Sequence, residues 1–234
     1  MVALPEEFVQ GLYSWFSQAQ ARQILEGLRH TRPCTFRVNT LKADPAAVAR
    51  ELEAAGLRLE RVRWYPLAFV VKNARESRLE ELSAYHEGRI YLQSLSSMLP
   101  PLLLNPRPGE SVLDVAAAPG SKTCQMAAMM GNDGYILAND ASPLRAERLR
   151  FNLARQGVRI ARVSVQDGRI LGARLGPVFH RVLLDAPCSG EGRFVAARPA
   201  TFRHWSGKLV RRMAALQRRL LWSALRCLRV GGTL

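Results

Sequence analysis

The residues best suited to chemistry begin with a run of small side chains, Ala116–Gly120, which leads into Ser121 and Lys122. This run follows the apolar segment Val112–Val115 and precedes a helix-like segment, so it predicts a turn from a strand into a helix. Small residues let backbone approach a ligand, and the first amides of a helix favour an anionic group. The turn therefore predicts a site for a cofactor with a negatively charged group. It is neither a G-x-G-x-x-G motif nor a P-loop, because Ser121 stands where a P-loop needs glycine.

Three acidic residues follow later strand-like segments, namely Asp140, Asp167 and Asp185. The carboxyl ends of parallel strands meet at one edge of a sheet, so we expect these side chains to share a crevice with the loop. Asp140 lies 20 residues past Gly120, where an acid can accept both hydroxyl hydrogens of a ribose. The alternative for each acid is a helix cap or a turn, and Ser142 is an equally good cap for the helix after Asp140.

The segment Asp185-Ala186-Pro187-Cys188-Ser189-Gly190-Glu191-Gly192 is the most specific motif in the chain. Together with Asp114–Thr123, it resembles the S-adenosylmethionine-dependent RNA (cytosine-5-)-methyltransferases, and within them the bacterial ribosomal RNA branch. Further landmarks of that family match Arg37–Lys42, Tyr91–Met98 and Arg229–Leu234. The resemblance implies a methyltransferase with a small α+β, RNA-recognition-like module followed by a Rossmann-like α/β domain, which here is incomplete at its C-terminal strands.

The resemblance also assigns roles to individual residues. Asp140 is implied to bind the ribose hydroxyls, Asp167 the adenine edge, and Asp185 to lie near the methyl donor and the target base. The family loop usually begins with Cys and has two glycines before the lysine, whereas this chain has Val115-Ala116 and Gly120-Ser121. The residues implied to bind S-adenosylmethionine are Ala116, Ala117, Ala118, Pro119, Gly120, Ser121, Lys122, Asp140, Asp167 and Asp185. The implied catalytic residues are Cys188 and Asp185.

Cytosine chemistry explains why a cysteine is expected near this crevice. Carbon 5 becomes nucleophilic only after a thiolate adds to carbon 6, and a base must later remove the proton from carbon 5. Asp185 is the expected acid near ring nitrogen 3. In the RNA enzymes of the family the nucleophile lies in a Thr-Cys motif beyond Gly-Gly-Thr-Leu, and the Pro-Cys residue assists product release. Because the sequence ends at Leu234, we expect either a fragment truncated before that motif, which we favour, or a chain in which Cys188 is the nucleophile.

Net charge points to a polyanionic partner. The chain has 34 Lys and Arg against 19 Asp and Glu, a net charge of +15. Ten basic residues and no acid lie between Arg193 and Leu234. We therefore expect an RNA partner, ribosomal RNA being favoured and transfer RNA the other option. Trp64-Tyr65 and His204-Trp205 lie beside arginines, a pattern suited to unstacked bases, although core packing explains the first pair equally well.

Cys34, Cys124 and Cys227 are expected to be small buried residues, and neither the cysteines nor the histidines have the spacing of metal ligands. No metal is predicted. No segment has the pattern of a signal peptide or of a membrane span, so the expected location is the cytoplasm. Nothing in the sequence specifies an oligomeric state.

Two rival functions remain open. An adenine amino-methyltransferase shares the cofactor fold but normally has a Pro-Pro-aromatic motif, where this chain has Pro187-Cys188. A catalytically inactive RNA-binding protein that keeps the methyltransferase fold is the second rival, because the sequence shows no Thr-Cys motif.

The elements that must position these residues form two predicted domains, 1–105 and 106–234. Residues Pro5–Leu28 have the periodicity of one helix, and residues 33–93 that of a small α+β module. The proline-rich stretch Leu99–Glu110 predicts the join between the domains.

The second domain alternates strands with helices of ten to fifteen residues, which predicts a doubly wound parallel sheet. Its last predicted helix covers Lys208–Arg229. We expect Gly231-Gly232 to end that helix and Thr233 to begin another strand.

Overall fold

The computed structural model describes residues 4–234, so the first three residues of the predicted domain 1–105 lie outside the described part. The described chain divides into two compact units. One comprises residues up to Arg32 together with Pro187–Arg219, and the other comprises Pro33–Ala186 together with Leu220–Leu234.

The larger unit contains a four-stranded antiparallel sheet in the order β2-β3-β1-β4. Every residue of β1 is buried, and Phe36 stacks on Phe69 with ring centroids 5.3 Å apart. Asp44 caps helix α3 by accepting the amide of Ala47, and Pro45 is the first residue of the helix, a position that proline favours. The elements are β1 (Cys34–Val38), α3 (Pro45–Ala54), β2 (Leu59–Arg61), β3 (Ala68–Val71), α4 (Glu76–Glu80), α5 (Ser83–His86) and β4 (Ile90–Leu92).

The same unit contains a five-stranded sheet, all of whose neighbouring strands are parallel, in the order β7-β6-β5-β8-β9. Strand β5 lies at its centre, so the turn after β5 and the turn after β6 open at adjacent positions of one edge. The elements are α6 (Leu95–Leu104), β5 (Ser111–Asp114), α7 (Ser121–Met129), β6 (Tyr135–Asn139), α8 (Pro143–Arg155), β7 (Ala161–Ser164), α9 (Leu171–Leu175), β8 (Phe179–Leu183) and β9 (Leu228–Thr233).

The smaller unit contains α1 (Glu6–Trp15), α2 (Gln18–Gly27) and most of α10 (Gly207–Cys227). Its core is aromatic: Phe8 packs edge-on against Phe194 at 5.0 Å and against Trp205 at 5.8 Å. Trp205 therefore packs in this core, and the structure does not give its ring the exposed stacking surface expected for His204-Trp205.

The single helix predicted over Pro5–Leu28 is wrong, because two helices meet at Ser17. Phe16 is extended, with φ −124° and ψ 157°. Ser17 and Gln20 form a reciprocal capping box that begins α2. The periodicity continued through the break, so the local hydrogen bonds and not the apolar spacing decide where the helices end.

The proline-rich join predicted over Leu99–Glu110 is also wrong in its first half, which belongs to α6. Pro100 and Pro101 lie inside this helix, and Pro101 is buried together with Met98 and Leu104. The buried apolar face outweighs the unfavourable effect of proline in a helix. Asn105, in the left-handed conformation with φ 49°, ends it.

The end predicted for the last helix is wrong in the same way. Helix α10 ends at Cys227, and Gly231 and Gly232 lie within β9, which pairs with β8. A Cβ at Gly232 would lie 2.9 Å from the carbonyl oxygen of His180. The glycine is therefore needed for close approach of two strands and does not mark the end of a helix.

Candidate functional site

The loop Ala116–Gly120 between β5 and α7 is held by hydrogen bonds from several directions, including one of 2.7 Å from Nη2 of Arg145 to the carbonyl of Ala118. The amide of Ala117 donates to the carbonyl of Asn139 at 2.7 Å, and the amide of Ala118 donates to Oδ2 of Asp140 at 3.3 Å. Nδ2 of Asn152 donates to the carbonyl of Pro119 at 2.8 Å. The loop is thus held by the end of β6 and by α8, so its shape is set before a ligand binds.

Gly120 is the N-cap of α7 and has φ +106°, a conformation that side chains disfavour. A Cβ at this position would lie 2.9 Å from Cδ1 of Leu149. No side chain caps the first turn of α7, so its amides are available to an anionic group. A cleft of about 370 Å³ borders the loop on the side of Pro119 and Ser121.

Asp140 is buried, with 3% of its surface exposed, and braces the loop. Besides the amide of Ala118, it accepts the amide of Ser142 at 3.0 Å and lies 3.3 Å from Nη2 of Arg145. Ser142 caps α8 by accepting the amide of Arg145, so the cap role that the sequence left open belongs to the serine. Each carboxylate oxygen can accept more than one hydrogen bond, so Asp140 keeps capacity for ribose hydroxyls.

Asp167 follows β7 and caps a short turn of 3₁₀ helix by accepting the amide of Arg169 at 2.9 Å. The guanidinium of Arg169 also donates to both carboxylate oxygens. Hydrogen bonds from Arg169 hold the pKa of Asp167 below its usual range. The carboxylate is therefore ionised at neutral pH and partly exposed, as an acceptor for a ligand must be.

Lys122 and Asp185, both predicted as site residues, are in direct contact. Nζ of Lys122 lies 2.5 Å from Oδ2 of Asp185 and donates to Oγ of Ser97 at 2.9 Å. The lysine side chain is 13% exposed and the aspartate 55% exposed. The exposed carboxylate is consequently held by a cation that is itself fixed in α7.

Asp114 is a residue of this site that sequence reasoning did not single out. It ends β5, is buried, and accepts a hydrogen bond from Oγ1 of Thr123 at 2.7 Å. Burial, with a further contribution from Asp185, raises the pKa of Asp114 to about 7, although Thr123 and Lys122 act against the rise. The sequence feature that could have identified Asp114 is a single acidic residue at the end of an apolar run.

Asn139 is a second residue that the sequence analysis did not identify. Its buried side-chain amide donates to the carbonyls of Val115 and Gln166, and its Oδ1 accepts the amide of Gln166. Asn139 therefore links the carboxyl ends of β5, β6 and β7, where the loop and the two aspartates Asp140 and Asp167 begin.

Cys188 lies in the smaller unit and is exposed. The carbonyl of the preceding Pro187 accepts a hydrogen bond of 2.8 Å from Nε2 of Gln217 in α10. Gly190, with φ +90°, begins a tight turn, and Glu191 accepts a 2.7 Å hydrogen bond from Nε1 of Trp205. The motif that follows Asp185 is thus anchored to ordered side chains of its own unit.

The other three cysteines are buried, as the sequence predicts. Burial raises the pKa of Cys34 and Cys227 to about 11 and that of Cys124 to about 12. These thiols are therefore protonated at neutral pH and inert as nucleophiles. Within residues 4–234, no group of three or more His, Cys, Asp or Glu side chains is arranged to hold a metal ion.

Comparison with known protein families gives matches over nearly the whole chain. The family described as 16S rRNA methyltransferase RsmB/F matches residues 101–234, more than half of the chain, and the N-terminal domain of 16S rRNA methyltransferase RsmF matches residues 4–95. The chain belongs to the 16S rRNA methyltransferase RsmB/F family. The predicted family, the Rossmann-like fold and the methyltransferase class of the family are thereby confirmed.

Individual relatives of this RsmB/F-family chain support the same family assignment. It is 39% identical over 238 residues to the ribosomal RNA small subunit methyltransferase F of Pectobacterium atrosepticum, covering 99% of the chain and 49% of that protein. A methyltransferase homologue from Pyrococcus horikoshii is 31% identical, with a TM-score of 0.77 over 98% of this chain and 75% of that one. The structure of NSun6 from P. horikoshii with SFG has the same fold, with 23% identity and a TM-score of 0.85 over 97% and 81%. The chain spans about half the length of the curated relatives it matches.

S-adenosylmethionine is the cofactor of this methyltransferase family, as predicted. The residues present suit it: Gly120 has a positive φ that side chains disfavour, the first amides of α7 are uncapped, and Asp140 and Asp167 supply acceptors at two strand ends. The division at residues 105 and 106 and the individual site roles stay predictions. No helix within residues 4–234 is both long and apolar enough to cross a membrane.

Proposed function

We propose that this chain acts in the methylation of carbon 5 of a cytosine in RNA, with S-adenosylmethionine as the methyl donor and ribosomal RNA as the favoured substrate. The observation that carries the proposal is the placement of the cysteines. Of the four in the chain, all within the described part, Cys188 alone is exposed, and it directly follows Asp185-Ala186-Pro187. A thiol used on a large substrate must be accessible.

The cofactor, when bound, supplies a methyl group on a positively charged sulfur. The chain's part is to hold it: Ala116–Lys122 would line the methionine and ribose portions, Asp140 would accept the ribose hydroxyls, and Asp167 would meet the adenine edge. The tethering of the loop by Asn139 and Asn152 supports these roles, because a preformed loop does not have to be ordered during binding.

Cys188 can have one of two roles in the reaction. In both, the thiolate that adds to carbon 6 is released again at the end. As nucleophile, its thiolate adds to carbon 6, and its C–S bond breaks again after a base has removed the proton from carbon 5. As a release-assisting residue, it acts on an adduct formed by another thiolate. Asp185, held by Lys122, is the group proposed to face ring nitrogen 3 of the cytosine.

The charge of the smaller unit supports RNA as the substrate. This unit has eleven basic residues against four acidic ones. The basic residues are Arg22, Arg29, Arg32, Arg193, Arg198, Arg203, Lys208, Arg211, Arg212, Arg218 and Arg219. Lys and Arg at this density bind phosphates without specifying sequence, so the choice of ribosomal RNA rests on the relatives and not on the charge.

Denaturing gel electrophoresis with labelled RNA that contains 5-fluorocytidine tests the proposal. Fluorine at carbon 5 cannot be removed as a proton is, so a covalent adduct persists and migrates with the protein. If Cys188 is the nucleophile, we expect the 234-residue chain to form an adduct that requires S-adenosylmethionine for its accumulation. If another thiolate is the nucleophile, we expect the adduct only in a chain that carries a further accessible cysteine, because the other three cysteines here are buried. Cys34→Ala, which removes a buried thiol, is the matched control and should keep the adduct.

The Cys188→Ala variant separates the two roles. If the 234-residue chain forms the adduct and Cys188→Ala abolishes it, Cys188 is the nucleophile. If only a longer chain with a Thr-Cys motif forms the adduct, and Cys188→Ala in that longer chain accumulates it on unmodified RNA, Cys188 assists release. Bound RNA with neither an adduct nor a methylated nucleoside in both chains would support the inactive RNA-binding alternative. Methylation of an adenine amino group instead of cytosine would overturn the proposed reaction.

A further inference from the structure

Arg37 in β1 is a buried cation whose hydrogen-bond acceptors are neutral. It is 1% exposed, and burial lowers its pKa, although an arginine stays protonated in a protein. Its Nε donates to Oε1 of Gln93 at 2.9 Å, and its Nη2 donates to the carbonyl of Ser121 at 3.3 Å. The guanidinium also lies over the ring of Tyr91, 5.3 Å from the centroid. A desolvated charge held in this way needs a reason beyond stability, because an apolar side chain of similar volume is often as stable.

The contacts of Arg37 lead to the start of α7, directly after the loop Ala116–Gly120, which we call the cofactor loop. Ser121 is the first residue of α7 and lies between Gly120 and Lys122. Gln93, which accepts from Arg37, donates through Nε2 to the carbonyl of Ser97 at 3.0 Å. The hydroxyl of Ser97 in turn accepts from Nζ of Lys122.

A second branch of the same network reaches α7 one turn further along. Nε2 of Gln93 also donates to Oε1 of Gln125 at 3.0 Å, and Nε2 of Gln125 donates to the carbonyl of Met98 at 2.9 Å. Gln93 and Gln125 are both buried. Arg37 is therefore connected by hydrogen bonds to the first residue of α7 and, through Gln93, to two further residues of that helix.

We propose that Arg37 is a positioning residue for the cofactor loop, fixing the first turn of α7 directly and the ammonium group of Lys122 through Gln93 and Ser97. The consequence for cofactor affinity rests on the proposed function. Arginine is required because its planar fork reaches two acceptors at once, whereas a lysine offers a single point of contact. The four-stranded sheet thus contributes to the cofactor site through Arg37.

Two variants and a matched control test this role. Arg37→Lys keeps the charge, and Arg37→Met removes the charge at similar volume. Asn39→Ala is the control, because Asn39 is equally buried and follows the same strand. It donates at 2.9 Å to the carbonyl of Gly88, between α5 and β4, and at 2.9 Å to that of Gln156, just beyond the end of α8, and not to the loop. Removing the Asn39 side chain deletes hydrogen bonds from the end of the same strand, but to Gly88 and Gln156 instead of to the start of α7.

Hydrogen exchange of the cofactor-free chain and calorimetry with S-adenosylmethionine are the two readouts. We expect both Arg37 variants to speed exchange of the amides of residues 124–126, the first hydrogen-bonded amides of α7, and to weaken cofactor binding by about tenfold, the effect of one charged hydrogen bond. Asn39→Ala should speed exchange near Gln156 and leave cofactor affinity within about twofold.

Unchanged exchange at residues 124–126 in Arg37→Lys would overturn the proposal, as would an equal loss of affinity in Asn39→Ala. If Arg37→Met does not fold, Arg37→Lys decides alone. If the unmodified chain binds no S-adenosylmethionine, the proposed function fails, whereas the exchange rates still decide whether Arg37 fixes α7.

Discussion

Asp114, Lys122 and Asp185 show how charge is distributed at the scale of residues. Lys122 bonds directly to the exposed Asp185, while the buried Asp114 has a hydroxyl, Thr123, as its side-chain partner. The two carboxylates consequently differ, since burial disfavours the charge of Asp114. The sequence predicted a crevice lined by acids, but it could not predict that one acid braces the loop and another lies beneath it. Burial and partners are properties of the fold and not of residue type.

The raised pKa of Asp114 predicts a pH dependence of stability. The folded-state pKa of about 7 exceeds the ordinary value of 3.8, so the folded chain binds more protons between these values. The contribution to stability is complete below about pH 4 and is lost as the pH rises through about 7. Chemical denaturation at several pH values should therefore show wild type losing stability relative to Asp114→Asn over this interval. Parallel pH profiles for the two proteins would contradict the assignment.

The exposure of Cys188 predicts selective alkylation. With the native chain and a thiol reagent near neutral pH, mass spectrometry should find rapid modification at Cys188 and slow modification elsewhere, because the other thiols are buried and protonated. Denatured chain should be modified at all four cysteines. Comparable native rates at Cys124 and Cys188 would refute the difference in exposure.

At the scale of elements, apolar runs that end in a turn or an acid predicted the central parallel strands well. Strand β6 (Tyr135–Asn139) and the 13-residue helix α8 (Pro143–Arg155) fit the predicted alternation of strands with helices of ten to fifteen residues. The misassigned segments share a cause: Ser17, Pro100 and Gly232 act according to partners that composition does not reveal. A capping box ends one periodic run, apolar burial carries a helix through prolines, and a close approach of two strands uses a glycine expected to terminate a helix.

The turn at Gly120 predicts a difference between two glycine substitutions. Gly120→Ala combines a positive φ with a Cβ 2.9 Å from Leu149, whereas Gly131→Ala combines φ +62° with open space. Both should lose about 1–2 kcal/mol of unfolding free energy from backbone strain, and Gly120→Ala should lose more. Calorimetry should find weakened S-adenosylmethionine binding in Gly120→Ala alone. Equal cofactor affinity in the two variants would show that the turn does not shape the cofactor loop.

At the scale of the whole molecule, the net charge of +15 is concentrated in particular segments, and in the part of the chain that the structure describes six arginines outside the smaller unit are paired with acids. Arg78 pairs with Glu81 and Arg150 with Glu147. Arg211, Arg218 and Arg219 of α10 are exposed. The sequence predicted the excess of positive charge and its uneven distribution. The structure was needed to show which arginines form ion pairs with acids.

RNA binding should therefore depend strongly on salt and on α10. Replacing Arg211, Arg218 and Arg219 by Gln should lower RNA affinity and reduce the slope of log K against log salt by about 0.7 for each phosphate that the protein no longer neutralises. Arg78→Gln with Arg150→Gln is the control, because those arginines are already neutralised. Filter binding at several salt concentrations measures the RNA affinity of each variant and its dependence on salt. A slope near zero in wild type would remove nucleic acid as the partner.

Titration calorimetry with S-adenosylmethionine tests most directly the claim that the strand-end loop of this RsmB/F-family chain holds the cofactor. We predict that wild type binds, that Asp140→Asn and Asp167→Asn each bind at least about tenfold more weakly because an acceptor charge is lost, and that Asp133→Asn, at an exposed aspartate in the turn after α7, binds as wild type does. Thermal unfolding of each variant confirms that it is folded. Unchanged affinity in both Asp140→Asn and Asp167→Asn would contradict the account.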